Sequence, residues 1–400
     1  MKIVQLSTSL GGGAGIAARR LNSALNEIGL DSKIIAIGKS SEGLNSSEFL
    51  LKRNLLTQFQ SSLNTLVQYN LIQSGSNLIT TNSISTIDFE NKDIEDADIL
   101  HIHAMYNFLN DADITQLFKS GKKIFFTLHD QRLFTGGCHY SLNCDNFIIS
   151  CKKCPQVRPF FQSKVEYAFE KRLKIFKNFN NFGIISPSEW LANSVKSSLM
   201  LQNCNVSVIL NPVPKVFSQF ENLESKEKLG IAKNVLTIIF VAADLLNPNK
   251  GLETLLDAVR ILRSKSDRKF KLILVGSNAG ADLDDEIDVE IIKANSDEEI
   301  AFFMAASDVL VVPSRIDNSP NVIGEAFMSG LSVIGAETGG ITELMKTMRF
   351  PTFPAGDSKR LSELLLEFEL DYDRENIKNR AIRMFSYTSI GNKMQEIYKS

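Results

Sequence analysis

Short, β-branched apolar runs alternate with helix-length segments along this chain, and they fall into two sets. The first is KIVQLSTS (2–9), SKIIAIG (32–38), DILHIH (98–103), KIFFTLHD (123–130), FGIISPS (182–188) and VSVILNP (206–212). The second is VLTIIFVA (235–242), FKLILVG (270–276), VEIIKA (289–294), VLVVPS (309–314) and LSVIGAE (331–337). Runs of this length, apolar on both faces and separated by helices, are what parallel strands in βαβ units require. The sequence therefore predicts an α/β protein with two Rossmann-like, doubly wound domains. The prolines and charged run of NPVPKVFSQFENLESKEKLG (211–230) separate the sets, which puts one domain at 1–212 and the other at 213–384. Ligands of such sheets lie outside the carboxyl ends of the strands. Two sheets facing each other are expected to hold theirs in the cleft between them.

Bulk properties narrow the class. At 400 residues, 44% apolar and 22% charged, the chain has enough material for two cores and for a soluble protein. The opening MKIVQLSTSLGGG meets a glycine cluster too soon for a secretory leader and reads as a first strand. No run reaches the length of a membrane span, so a cytoplasmic location is expected. Net charge is only −2, but residues 1–214 carry 21 Lys and Arg against 17 Asp and Glu. Within 119–177 there are twelve basic and four acidic residues, a field suited to an anionic partner or a membrane surface as well as to plain solvation. Nucleic acid is not an expected partner.

Three helical segments stand outside the alternation. In 49–73, Leu51, Leu55, Phe59, Leu63 and Leu66 form one stripe beside Lys52 and Arg53. In 160–179, Phe160, Phe161, Tyr167, Phe169, Phe176 and Phe179 are mixed with five basic residues. Either segment could lie on anionic lipid or serve as the packing face of a surface helix. The third, 385–400, ends the sequence with no strand after it.

Three segments carry polar chemistry. SLGGGAGIAARRLNSAL (9–25) takes the first strand through Gly12, Gly13 and Gly15 directly into a helix, offering bare amides and a positive helix end to phosphate or sugar oxygens. In VLVVPSRIDNSPNVIGEAFMSGLSVIGAETGGITEL (309–344), Asp317 stands on a loop and Glu325 eight residues later on a helix that begins near Asn321. Both carboxylates can face one cleft, where ribose or sugar hydroxyls would donate to them. Gly339 and Gly340 form another glycine turn before a helix. His129, in FFTLHD, sits at a strand's carboxyl end. His101 and His103 share a strand face and suit either metal or structure, with His103 nearer the carboxyl end.

Cys138, Cys144, Cys151 and Cys154 fall within TGGCHYSLNCDNFIISCKKCP (135–155). The last two have the spacing of a zinc knuckle, and four thiolates suffice for a closed structural zinc site. Reduced unligated thiols and a redox role are the other readings. His139 could replace one sulfur.

In combination, the glycine turn after strand one, SRIDNSPNVIGEAFMSG and TGGITEL resemble the retaining glycosyltransferases of family 4, which have the GT-B fold. HDQRLFTGGCHYSLNCDNFIISCKKCP, ISPSEWLANS and DNSPN resemble its subgroup similar to colanic-acid and other surface-polysaccharide transferases. The resemblance implies a UDP- or GDP-sugar donor and a lipid-linked or oligosaccharide acceptor, met on the cytoplasmic side of an inner membrane. It implies that Glu325 binds the ribose and that Asp317, in place of the usual Glu, lies near the donor sugar. Asn318 and Asn321 fall beside them in the donor site. Lys250, in NPNKGLETLLDA, matches the lysine on the diphosphate; Ala242 and Ala243 stand where Gly-Arg is usual. His129 would hydrogen-bond the sugar or stabilise developing charge, and Gly12, Gly13, Gly15, Gly339 and Gly340 would line the phosphate and sugar positions. The tail at 385–400 would cross back onto the first domain. The implied reaction is front-face substitution without a catalytic metal, the departing diphosphate taking the acceptor's proton. A sugar-nucleotide 2-epimerase of the same fold and a non-catalytic nucleotide-sugar binder are the rival readings.

Overall fold

The computed structural model describes residues 1–38, 44–73, 78–81, 83–278 and 287–400. They divide into two compact units, 1–210 with 391–400, and 211–390. The first holds β1 (Lys2–Ser7), β2 (Asp31–Ile37), β3 (Glu48–Leu51), β4 (Ile99–Ile102), β5 (Lys123–Thr127), β6 (Phe182–Ser186) and β7 (Val206–Val208). Their order is β3-β2-β1-β4-β5-β6-β7, and each adjacent pair runs parallel. The second holds β8 (Leu236–Asp244), β9 (Phe270–Ser277), β10 (Val289–Ile292), β11 (Val309–Val312), β12 (Ser332–Ala336) and β13 (Thr352–Phe353). Its order, β10-β9-β8-β11-β12-β13, is again all parallel and repeats the plan of the first. Both are Rossmann orders, with the switch point at β1/β4 in one sheet and β8/β11 in the other.

The strands bury both faces, as parallel sheets require. Leu6, Ile34, Leu100, Ile102 and Ile124 are fully buried in the first core, and Leu236, Ile238, Leu272, Val309 and Ile334 in the second. Each such side chain contributes about 1.5–3 kcal/mol relative to exposure.

Two segments differ from their sequence reading. Residues 48–51 form strand β3, and the helix runs only from Leu55 to Leu71, capped by the Asn54 side chain on the Thr57 amide. Its apolar stripe faces solvent: Leu55 is 84% exposed, Phe59 68% and Leu66 60%. The inward face is polar instead. Ser61 receives hydrogen bonds from Asn107 and Arg53, Asn64 donates to Asn107, and Gln68 accepts from the Thr81 amide. In the helix Gln162–Asn178 the stripe divides, with Phe169 and Phe176 in the core while Phe160, just before the helix, and Tyr167 are exposed.

The last helix, Tyr387–Lys399, straddles the division, and its part from Gly391 onward belongs to the first unit. Two contacts fix that part. A Cβ on Gly391 would come within 2.9 Å of the Ala24 carbonyl oxygen, so only glycine allows this approach. Tyr398 is buried with its hydroxyl 2.5 Å from His101 Nδ1.

Candidate functional site

In the second unit, three loops at the carboxyl ends of β8, β11 and β12 are bound to one another through the backbone. Arg315 N–H donates to the Asn249 carbonyl at 2.8 Å, and Gly340 N–H to the Asp317 carbonyl at 3.2 Å. Two glycines make this closeness possible. Gly251 (φ +74°) and Gly339 (φ +50°) lie in the left-handed region, and a Cβ on them would stand 2.0 Å from the Pro313 carbonyl oxygen and 1.9 Å from that of Asp317.

Lys250 and Asp317 thereby meet, Nζ to Oδ2 at 2.6 Å, with the lysine side chain 34% exposed and the carboxylate 12%. Asn318 is buried beside Asp317. Asn321 opens the helix Asn321–Met328 and accepts at Oδ1 from Asn211 at 2.9 Å. Glu325, one turn on, is 4% exposed. A Cβ on Gly324 would be 3.0 Å from Val213 and 3.2 Å from Phe385, so this helix lies close against its neighbours and holds Glu325 rigidly. Neither this helix nor Ile341–Met348 has a side-chain cap. Both therefore present N-terminal amides and a positive dipole end beside a cation and two carboxylates. Arg315 points outward, 57% exposed.

In the first unit the site lies at the β1/β4 switch point. After β1 the chain turns through Gly12 (φ +69°) into the helix Gly12–Glu27, which has no side-chain cap. Gly15 is required there, since a Cβ would be 2.4 Å from the Ser9 carbonyl oxygen. Ala14, in the first turn of this helix, lines a pocket with His103, Tyr106, His129, Asp130 and His139. Thus Ala14, between Gly13 and Gly15, and His129 border one pocket.

The histidines form a row in which His101 and His103 are buried and His129 is half-buried. His101 and His103 stack with ring centroids 4.4 Å apart, and His103 and His129 at 5.4 Å. Burial drives all three toward the neutral form: His101 down to about 3, His129 down to about 4 and His103 well below the ordinary value. His101 is structural, held between Tyr398 and the Thr127 hydroxyl at 2.7 Å. His139 pairs with Asp130 at 2.6 Å. Burial opposes ionisation of Asp130, but this imidazole and Arg132 outweigh it and hold its carboxyl below the usual range. Gln5, Thr127 and Tyr398 escape sequence reasoning; a glutamine inside the otherwise apolar KIVQLS is the one available signal.

The four cysteines do not arrive as a ligand set. Among the described residues no group of three or more His, Cys, Asp or Glu is placed to hold a metal ion, and all four are free thiols. Cys138, Cys151 and Cys154 are buried. Burial raises the Cys151 thiol to about 12 and pushes Cys138 up as well, with the neighbouring cysteines adding to both shifts. Gly136 N–H donates to Cys151 Sγ at 3.2 Å, and Cys151 and Lys153 take left-handed backbone, so the segment is tightly folded.

Comparison with known proteins agrees with this geometry. Residues 236–368 match the family described as Glycosyl transferases group 1. An Escherichia coli K12 protein named as a colanic acid biosynthesis glycosyl transferase, WcaC, is 23% identical over 275 residues, 62% of this chain and 62% of that one. The chain thus spans less than two thirds of that relative's length. Among solved structures, Anabaena HepE in complex with UDP-glucose superposes with a TM-score of 0.64 at 16% identity, over 100% of this chain and 99% of that chain. Sucrose-phosphate synthase from Thermosynechococcus elongatus gives 0.64 at 14%, covering 100% and 98%. The two Rossmann-like units are those of the GT-B fold, and the second contains the stretch that matches the group 1 glycosyl transferase family.

Proposed function

We propose that this chain is a retaining glycosyltransferase that moves a hexose from a nucleotide-sugar donor to a lipid-linked saccharide during surface-polysaccharide synthesis. The Lys250–Asp317 pair at 2.6 Å at the β8/β11 switch point, with Glu325 buried on the helix that follows β11, carries this reading. A cation, two carboxylates and uncapped helix ends match the groups of a nucleotide sugar: diphosphate, ribose and hexose. Lys250 neutralises the diphosphate as the glycosidic bond breaks. Glu325 accepts from the ribose hydroxyls, and Asp317 from the sugar once Lys250 turns to the phosphate. Asn318, Asn321, Gly339 and Gly340 line that site; Gly12, Gly13, Gly15 and His129 meet the sugar and acceptor. The diphosphate takes the acceptor's proton, and no step is routed through zinc.

UDP is the favoured nucleotide, since HepE of like fold is a UDP-glucose complex. Among the described residues no helix is long and apolar enough to cross a membrane. The acceptor's lipid is instead met at the surface, by the exposed apolar face of Leu55–Leu71 and the exposed Phe160, on the cytoplasmic side. The test is a transfer assay over UDP- and GDP-sugars with lipid-phosphate saccharide acceptors. Transfer that fails in Glu325→Ala and Lys250→Ala with the fold retained supports the reading; free epimerised sugar nucleotide without acceptor would replace it.

A further inference from the structure

A single chain of hydrogen bonds runs through the first unit from a buried carboxylate to His129, and each donor in it can be assigned. Glu48, whose side chain is fully buried and paired with Arg19, can only accept. Asn45 therefore turns its amide nitrogen to Glu48 at 3.0 Å, and its Oδ1 accepts the Ser47 backbone N–H at 2.9 Å. The Ser47 hydroxyl is then left to donate to the same Oδ1 at 2.8 Å. Its proton used, Ser47 accepts from Asn22 Nδ2 at 2.8 Å, which turns Asn22 Oδ1 toward the Ser32 hydroxyl, also at 2.8 Å. Ser32 in turn accepts from Gln5 Nε2 at 3.2 Å.

Gln5 Oε1 thus faces His103 Nε2 at 2.8 Å, and His103 must donate there. A neutral imidazole has one N–H, so His103 Nδ1 is an acceptor. The nitrogen opposite it, 3.2 Å away, is His129 Nε2, which must carry the proton.

We infer that Gln5 and His103 are positioning residues that hold His129 in the Nε2–H tautomer. Nδ1 of His129 is then the nitrogen with the lone pair. As an acceptor it can take a hydrogen bond from a hydroxyl but cannot donate one to a developing negative charge. What this says about the reaction rests on the proposed placement of His129 beside the donor sugar: His129 orients a sugar hydroxyl and is no proton donor. The tautomer itself rests on the hydrogen bonds alone.

The test is nitrogen NMR of the full chain labelled at histidine ring nitrogens at pH 7, with His129→Gln to assign its signals. The wild-type spectrum is expected to show His129 protonated at Nε2. Gln5→Leu, which removes the acceptor for His103, is expected to move a large share of His129 to the Nδ1–H form and to lower donor kcat/KM by about tenfold, the size of one hydrogen bond. Gln5→Glu keeps an acceptor and is expected to restore both. An Nδ1–H His129 in the wild type, or an unchanged tautomer in Gln5→Leu, overturns the inference; if that variant does not fold, the wild-type spectrum decides alone. The expected tautomer without turnover of any donor would uphold the inference and remove the proposed function.

Discussion

Lys250 Nζ stands 2.6 Å from Asp317 Oδ2, joining a residue that follows β8 to one that follows β11. In the donor-free protein each charge neutralises the other, so a diphosphate reaching Lys250 competes with Asp317. Asp317→Asn removes that competition and, on the proposed placement of the donor, also weakens the group that accepts from the sugar hydroxyl. UDP is expected to bind this variant at least as tightly as wild type by calorimetry, while UDP-sugar kcat/KM falls roughly 10- to 100-fold. Weaker UDP binding would show that the pair holds the nucleotide together rather than competing for it.

Gly339 is the second support of that pair. With φ at +50° and the Asp317 carbonyl oxygen 1.9 Å from a built Cβ, Gly339→Ala forces the loop apart. A loss of about 1–3 kcal/mol in urea unfolding is expected. Gly13→Ala, with nothing within 4 Å of its Cβ, should leave stability unchanged.

The buried histidines set a pH dependence. Their folded-state values lie below the ordinary 6.5, near 3 for His101 and near 4 for His129, so between these and 6.5 the unfolded chain binds more protons. Their contribution is complete above about pH 6.5 and is lost as pH falls toward 4, on the order of 1 kcal/mol per pH unit for each histidine. Unfolding midpoints measured from pH 8 to 5 should hold steady and then drop. A flat profile down to pH 5 would mean the histidines are solvated.

The helix Leu55–Leu71 turns its polar side inward and its apolar side out. If this face meets the acceptor's lipid, the chain should sediment with vesicles, and Phe59→Ser with Leu63→Ser should weaken binding several-fold at constant thermal stability. Equal sedimentation of the variant would assign the contact elsewhere.

Much of this was legible in the sequence, and the failures share a cause. The strand runs declared themselves because parallel strands bury both faces; Asp317 and Glu325 were picked by their spacing from a loop to a helix, and Lys250 only by the family resemblance. For helix 55–71 periodicity gives a stripe without saying which way it faces; Ser61 and Gln68 found partners in Asn107 and Thr81, and the leucines were left outside. The cysteine spacing suggested ligands, and among the described residues the four sulfurs are not gathered into one group placed to hold a metal ion. Gln5 was invisible because its partners, Ser32 and His103, are distant in sequence and meet only across adjacent strands.

The central claim, that the Lys250, Asp317 and Glu325 constellation cleaves a nucleotide sugar, is tested most directly by nucleoside-diphosphate release. Purified wild type and Glu325→Ala are incubated with UDP- and GDP-sugars and a lipid-phosphate saccharide, and UDP or GDP is quantified. Release by the wild type, reduced about 100-fold or more in Glu325→Ala at unchanged melting temperature, is the predicted result. Equal release by the two proteins, or none by the wild type with any donor that binds it, would contradict the account.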